Sequence, residues 1–326
     1  MPNKYAEKKG WNIPKQHYKI TNWTEYTAAL RRRGKIDVWM SDEAISQWYE
    51  PIQINDGTGA PKRYTDFAII TCHEIRLVYH LPLRQCQGFI NSLFRIMGIP
   101  LVCPDFSILS KRLAKLKIKV PAYTMKKDTS DKSVHAIAID STGLKRFGRS
   151  EWHQEKYELS SKASWRKLHI AVNQDHYIEA ADLTDKFSHD DQSVAPLLQQ
   201  ITEPIDHFSA DGAYDETPVY DAIIEHSPAV NVVIPPRANA VLNDNAADMR
   251  NRNIQEIKDI GRMQWQNIQE YGRRNLSELA VQRYKRIIGD SLRARDLVCQ
   301  KQEAMIGCGV INKMTSLGMP QSYRAA

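Results

Sequence analysis

No stretch of this chain stays apolar for long. Runs such as Phe67–Ile70 and Val232–Ile234 fall far short of the roughly 20 residues that cross a bilayer, which excludes a helical membrane protein. The first thirty residues are polar and basic and lack the apolar core of a signal peptide, so a cytoplasmic protein is expected. Cysteine is sparse as well. Cys72, Cys86, Cys103, Cys299 and Cys308 are odd in number, and no two form a C-x-x-C pair. That spacing excludes a disulfide scaffold and a thiolate zinc site, and it leaves buried, reduced thiols as the expectation. Internal repeats and low-complexity tracts are absent. What remains is a composition of 42% hydrophobic and 25% charged residues over 326 positions. It describes a globular protein with room for one large domain or two of ordinary size.

Charge is present and unevenly placed. The formal net charge is +7. Residues 1–36 hold nine basic groups (Lys4, Lys8, Lys9, Lys15, Lys19, Arg31, Arg32, Arg33, Lys35) against Glu7 and Glu25, so the rest of the chain is neutral in sum. Tyr5, Trp11, Tyr18, Trp23 and Tyr26 are interleaved with these cations. Cations neutralise phosphates with release of counterions, and aromatic rings stack on bases; a solvated basic tail has the same composition. A second basic stretch, Lys111 to Lys127, contains no acid, and a third gathers Arg273, Arg274, Arg283, Lys285, Arg286, Arg293 and Arg295. Three basic segments in one chain point to a polyanionic partner, nucleic acid first.

Residues 64–116 read as helical. Apolar positions recur at helical spacing over Tyr64–His80; Pro82 opens a second helix that Gly98 and Pro100 end; Asp105 or Ser107 can cap a third over Ile108–Leu116. A helix, a break and a basic helix fit either a helix-turn-helix reader of the major groove or an ordinary bundle. From Lys126 the pattern changes to strands: Val134–Ile139, Leu168–Val172 and Tyr177–Leu183, then a helix over Asp191–Ile201, a strand over Ile205–Ala210, a helix over Thr217–His226 and a strand over Val230–Ile234. This order predicts an α/β fold with a mixed sheet flanked by helices.

Asp140 and Asp211 each directly follow a predicted apolar strand, and ligands of open α/β sheets sit at such strand ends. Two carboxylates held there repel each other unless a cation lies between them, and a divalent ion with oxygen ligands is the natural one. A turn or N-cap role is the alternative for each alone. A third acid, Glu278, lies in Asn275–Lys285. On a helix, Leu276, Ala280, Tyr284 and Ile287 share one side, with Glu278 and Lys285 nearly opposite. Arg283 does not fit this pattern. Asn275 with Glu278 three residues on also reads as a capping box, with no catalytic role.

The string Tyr271-x2-Arg274-x3-Glu278-x6-Lys285 resembles the Y-x2-R-x3-E-x6-K signature of bacterial insertion-sequence transposases of the DDE class. Ile137–Lys145, Trp165–His169 and Ala210–Asp215 are similar to the same family, as are Asn22–Tyr26, Asp42–Ile45 and Leu317–Pro320. The likeness therefore covers nearly the whole chain. The resemblance implies a ribonuclease-H-like catalytic domain over residues 126–326, preceded by a basic arm and mainly helical DNA-binding region over 1–125. It implies Asp140, Asp211 and Glu278 as the acidic triad holding two Mg²⁺ ions, with Mn²⁺ as a substitute, and Tyr271, Arg274 and Lys285 as DNA-binding residues. Its partners would be double-stranded DNA, as transposon ends and target, and a second copy in a homodimeric synaptic complex. Its location would be the bacterial nucleoid, with no membrane involved. Gly272 stands where many relatives have His, and Asn275 and Leu279 replace a Ser and a Thr; no acidic ligand is lost. A plain metal-dependent nuclease and a DNA-binding repressor on the same fold are the rival expectations.

Overall fold

A computed structural model describes residues 17–51, 63–120, 134–146, 165–243 and 249–325. Lys4, Lys8, Lys9, Lys15, Lys126, Lys127, Tyr5 and Trp11 lie outside these residues, as does the expected boundary between residues 125 and 126. The chain divides into two units, residues 1–38 with 314–326, and residues 39–313.

The smaller unit joins the two ends of the chain. Strand β1 (His17–Ile20) pairs antiparallel with the C-terminal strand Ser322–Ala325. Helix α1 (Trp23–Arg33) follows, with Glu25 in its first turn and Arg31, Arg32 and Arg33 in its last, each sign at the end where the helix dipole favours it. Asn22 Nδ2 donates to the Met319 carbonyl at 3.0 Å, and its Oδ1 accepts from the Gln321 N–H at 2.7 Å. Arg33 donates to the Gly318 carbonyl at 2.6 Å. The Asn22–Tyr26 and Leu317–Pro320 strings, far apart in sequence, thus meet in space. Lys19, Arg31, Arg32 and Lys35 are exposed beside exposed Tyr18 and Trp23.

Two short helices, α2 (Ile36–Trp39) and α3 (Asp42–Ser46), come next in the chain. In the larger unit, α4 (Asp66–Val78) is capped by Thr65, whose hydroxyl accepts from the Ala68 N–H at 3.0 Å. Helix α5 (Leu83–Ile96) starts after Pro82, and Gly98 with φ 67° turns the chain away from it. The third helix, α6, runs from Phe106 to Leu113 and not from Ile108 to Leu116, because Asp105 accepts from the Ser107 N–H at 2.9 Å and fixes an earlier start. Nine residues separate α5 from α6, more than the 3–4 of a helix-turn-helix. Arg112 donates to the Tyr64 carbonyl at 2.9 Å and pairs with Asp66, while Lys111, Lys115, Lys117 and Lys119 are exposed.

The sheet of this unit has the order β4-β3-β2-β5-β6, formed by β2 (Ala136–Arg146), β3 (Trp165–Asn173), β4 (Ile178–Asp185), β5 (His207–Ser209) and β6 (Asn231–Val233). β2–β3 and β3–β4 are antiparallel, whereas β2–β5 and β5–β6 are parallel. This is the mixed sheet expected, in a ribonuclease-H-like arrangement. Helices α7 (Val194–Leu198) and α8 (Thr217–His226) bury Leu197, Val219, Tyr220 and Ile223 against Ile137, Ile139 and Phe208. The helix expected over Asp191–Ile201 is shorter, a 3₁₀ turn at Asp191–Ser193 followed by α7. All five cysteines are free and buried, and no helix among the described residues is long and apolar enough to cross a membrane.

β2 corrects the sequence reading in one respect that matters. It does not end before Asp140 but continues to Arg146, so Asp140 sits mid-strand opposite Ile170. Asp-Ser-Thr-Gly has turn-forming composition, yet β3 supplies a ladder partner for each of these residues. Among the described residues, the other edge of β2 is paired at Ala136–Ala138, by β5, and at Lys145–Arg146, by β7 (Ser291–Leu292), and nowhere between. Between them the edge is open, and Asp140 lies in the gap.

The start of β2 carries a buried charge. His135 Nδ1 faces the Pro204 carbonyl at 2.8 Å and Nε2 faces Glu179 Oε1 at 3.1 Å. Both partners are acceptors, so the pair of bonds favours the ring with a proton on each nitrogen, the cationic form. Burial alone would lower its pKa, but the bonds to Glu179 and Pro204 and the charges of Glu179 and Asp206 outweigh it and raise it. A raised histidine pKa gives stability that is fully present below the ordinary value of about 6.5 and lost as pH rises through the folded-state value. Denaturant melts should therefore show stability falling above that value. His135→Gln should flatten the profile and cost about 1–3 kcal/mol at pH 6, since Glu179 loses one of its partners.

Candidate active site

Three elements converge on the open edge of β2. Asp140 comes from the strand, half-buried, with Oδ1 accepting from the Ser141 N–H at 2.8 Å. Asp211 follows β5 and caps the 3₁₀ turn Gly212–Tyr214, accepting from the Ala213 N–H at 2.9 Å. A Cβ on Gly212 would stand 2.9 Å from the Pro235 carbonyl, so only glycine lets this turn lie against the loop after β6. Glu278 is in the first turn of α11 (Asn275–Ile287), which packs on β2 and β3. Between α8 and α11 lie α9 (Met249–Ile260) and α10 (Arg262–Ile268).

The buried stripe of α11 is Ser277, Ala280, Tyr284 and the following Ile288. It is rotated from the stripe read in sequence: Leu276 and Ile287 are only half-buried. The reason is α12 (Leu297–Ser316). Gly307 there has no Cβ, and one would stand 2.7 Å from the Tyr284 ring. Close packing at that point buries Tyr284, and Glu278 is left half-buried. Lys285 is exposed. Arg283, which fitted no pattern in sequence, donates to the Ile311 carbonyl of α12 at 3.4 Å. The capping-box alternative is not what forms, since α11 starts after Arg274 with no side-chain cap and Glu278 pairs with Arg274.

Electrostatics place the three acids in one field. Burial raises the Asp140 pKa to about 6; Asp211 and Glu278 push it up as like charges, while the Ser141 N–H and Arg274 oppose them. Arg274 stands among all three. Burial alone would lower its pKa, but Tyr271, Glu278, Asp140 and Asp211 together hold it above its usual value. Its guanidinium lies 5.8 Å from the centre of the Tyr271 ring. Tyr271 in turn is tilted against buried Trp265 at 6.0 Å, and burial lifts its phenol to about 12. Glu270, left-handed at φ 53°, bends the chain between α10 and the turn Tyr271–Arg274, a conformation that costs a non-glycine residue about 1 kcal/mol. Gln269 fixes that bend: its carbonyl meets His207 Nε2 of β5 at 3.1 Å, and its side chain accepts from Asn231 of β6.

A family model described as a transposase DDE domain matches residues 135–313, more than half of the chain. The chain belongs to the DDE transposase family. A second model with the same description matches residues 31–149 of this transposase. Among solved structures it is similar to one titled "Cryo-EM structure of piggyBac transposase synaptic complex with hairpin DNA", with 10% identity, coverage of 92% of this chain and 76% of that one, and a TM-score of 0.39.

The acids of this DDE transposase match a hard divalent cation in chemistry, being an all-oxygen donor set of three like charges in a partly desolvated place. Among the described residues, no three His, Cys, Asp or Glu side chains stand grouped closely enough to hold an ion as they are placed. Arg274 supplies the counter-charge there. Two further residues support the site and were not singled out from sequence. Asp215 is fully buried and receives both Nε (2.9 Å) and Nη2 (3.2 Å) of Arg250, as well as the Arg237 N–H at 3.2 Å. Tyr214 is buried close to Asp190, Asp140 and Asp211, and burial with those charges raises its phenol. Both lay inside the Ala210–Asp215 string, which was the available signal.

Proposed function

We propose that this DDE transposase serves a bacterial insertion sequence: it binds the terminal inverted repeats and catalyses metal-dependent cleavage and strand transfer. The observation that carries the reading is the mutual field of Asp140, Asp211 and Glu278 at the open edge of β2. The acids would hold two Mg²⁺ ions, or Mn²⁺, which when bound activate a water or a 3′-hydroxyl and stabilise the leaving oxygen. Asp140, fixed mid-strand, and Asp211, fixed by its turn, are rigid donors; Glu278 is on a helix and completes the set. Arg274 and Lys285 bind phosphates of the transposon end, and Tyr271 stacks on a base beside the cut. Residues 1–125 form the DNA-binding region and 126–326 the catalytic domain. The working form is a homodimer that brings two ends together, located on the nucleoid.

A strand-transfer assay with labelled element ends, purified protein and Mg²⁺ tests this. Joined product is expected. Cut product without joining would make the protein a plain nuclease, and a mobility shift with neither would make it a repressor. Inverted repeats in the DNA flanking the gene supply the sequence for the labelled ends.

A further inference from the structure

Arg274 does something more than contact DNA. It is bonded to Glu278, which leaves one of the three acids occupied by a cation of the chain itself. It is packed against Tyr271 and mostly shielded, with 15% of its side chain exposed. The charges of Asp140 and Asp211 also act on it, helping to hold its pKa above the usual value. A guanidinium and a divalent cation cannot share this space, because each would repel the other at a few ångströms while competing for the same oxygens. We propose that Arg274 is a positioning residue that couples the two ligands of the site: without DNA it closes the acid cluster to divalent metal, and a DNA phosphate draws it off Glu278 and opens the cluster. This rests on the active-site reading given above.

The physical requirements are met on this chain. A phosphate offers the guanidinium two acceptor oxygens, so Arg274 exchanges a single contact to a carboxylate for a partner that can accept two bonds. Arg274 and Glu278 are four residues apart at the start of α11, so breaking their pair takes only a change of side-chain rotamers within one helix turn. Coupling of this kind is reciprocal: whatever factor DNA adds to metal affinity, metal adds to DNA affinity. Its consequence is a protein that carries no loaded metal centre until DNA is seated, and so does not cut at random.

Mn²⁺ binding to the whole protein, followed by electron paramagnetic resonance with no turnover, tests the coupling. Wild type should bind Mn²⁺ weakly alone and at least about tenfold more tightly with double-stranded DNA carrying the terminal repeat. Arg274→Ala and Arg274→Gln should bind Mn²⁺ about tenfold more tightly than wild type without DNA, and DNA should add little; Arg274→Lys should stay closer to wild type. Adding Glu278→Gln to Arg274→Ala should remove the gain. If the Arg274 variants bind Mn²⁺ no better than wild type while Glu278→Gln weakens binding, the coupling is wrong and the acid site stands. If Glu278→Gln leaves Mn²⁺ binding unchanged in every background, the acid site itself fails.

Discussion

Asp140→Asn is expected to abolish strand cleavage, by at least about a thousandfold, while leaving DNA affinity within a few fold of wild type. The same variant should be more stable than wild type in the absence of divalent cations. Asp140 is half-buried and faces two other carboxylates, which together raise its pKa to about 6. A carboxylate with an ordinary value near 4 when unfolded then binds more protons in the folded state across the interval between the two values. Stability therefore falls as pH rises from about 4 to about 6, and the deficit persists at neutral pH. Removing the charge recovers about 2–3 kcal/mol, or roughly 4–8 °C in Tm. Thermal melts in chelator at pH 7 should show the variant above wild type, with the two converging below pH 4. Added Mn²⁺ together with terminal-repeat DNA should raise wild type and not the variant. A variant that still cuts, or that melts lower than wild type at pH 7, would remove Asp140 from the proposed site.

The order of strands and helices was legible because each element carries its own period. Ile137–Ile139 and Val232–Ile234 are β-branched and apolar, and Thr217–His226 has helical spacing with Pro218 in its first turn. The positions of the acids along the chain were legible through the strings around them. What sequence could not show is how neighbours reassign a residue. Asp-Ser-Thr-Gly reads as a turn in isolation, and its pairing residue by residue with Lys167–Ile170 of β3 keeps it extended. The stripe of α11 depends on a missing Cβ at Gly307, more than twenty residues downstream. Charge counting also overstated the basic surface. Arg283 and Arg293 stand in the third basic stretch, yet they donate to the carbonyls of Ile311 and Leu81. Arg112, in the second, is held by Tyr64 and Asp66. A cation in sequence is either a phosphate ligand or an internal brace, and only its neighbours decide which.

Asp215→Ala is expected to be the most destabilising single change in the larger unit, costing about 3–5 kcal/mol. The Asp215 carboxylate is wholly excluded from solvent and takes two bonds from the Arg250 guanidinium, itself only 16% exposed. Truncating it takes two charge-assisted bonds from that cation in a place where water replaces them poorly, and it frees the Arg237 N–H as well. Asp215 closes the turn that begins at Asp211, so the loss also loosens a proposed catalytic acid. The fraction of variant that remains folded should cleave more slowly than wild type. Two controls separate the pair from its surroundings. Arg250→Met alone should cost a similar amount, since it strands the carboxylate instead. The double variant Asp215→Ala/Arg250→Met should be less destabilised than the sum of the two, because neither partner is then left buried and unpaired. Urea denaturation of the four proteins gives the coupling directly. If Asp215→Ala costs no more than the roughly 0.5 kcal/mol of an ordinary surface change, the pair does not hold the turn. The position of Asp211 would then rest on Gly212 against the Pro235 carbonyl.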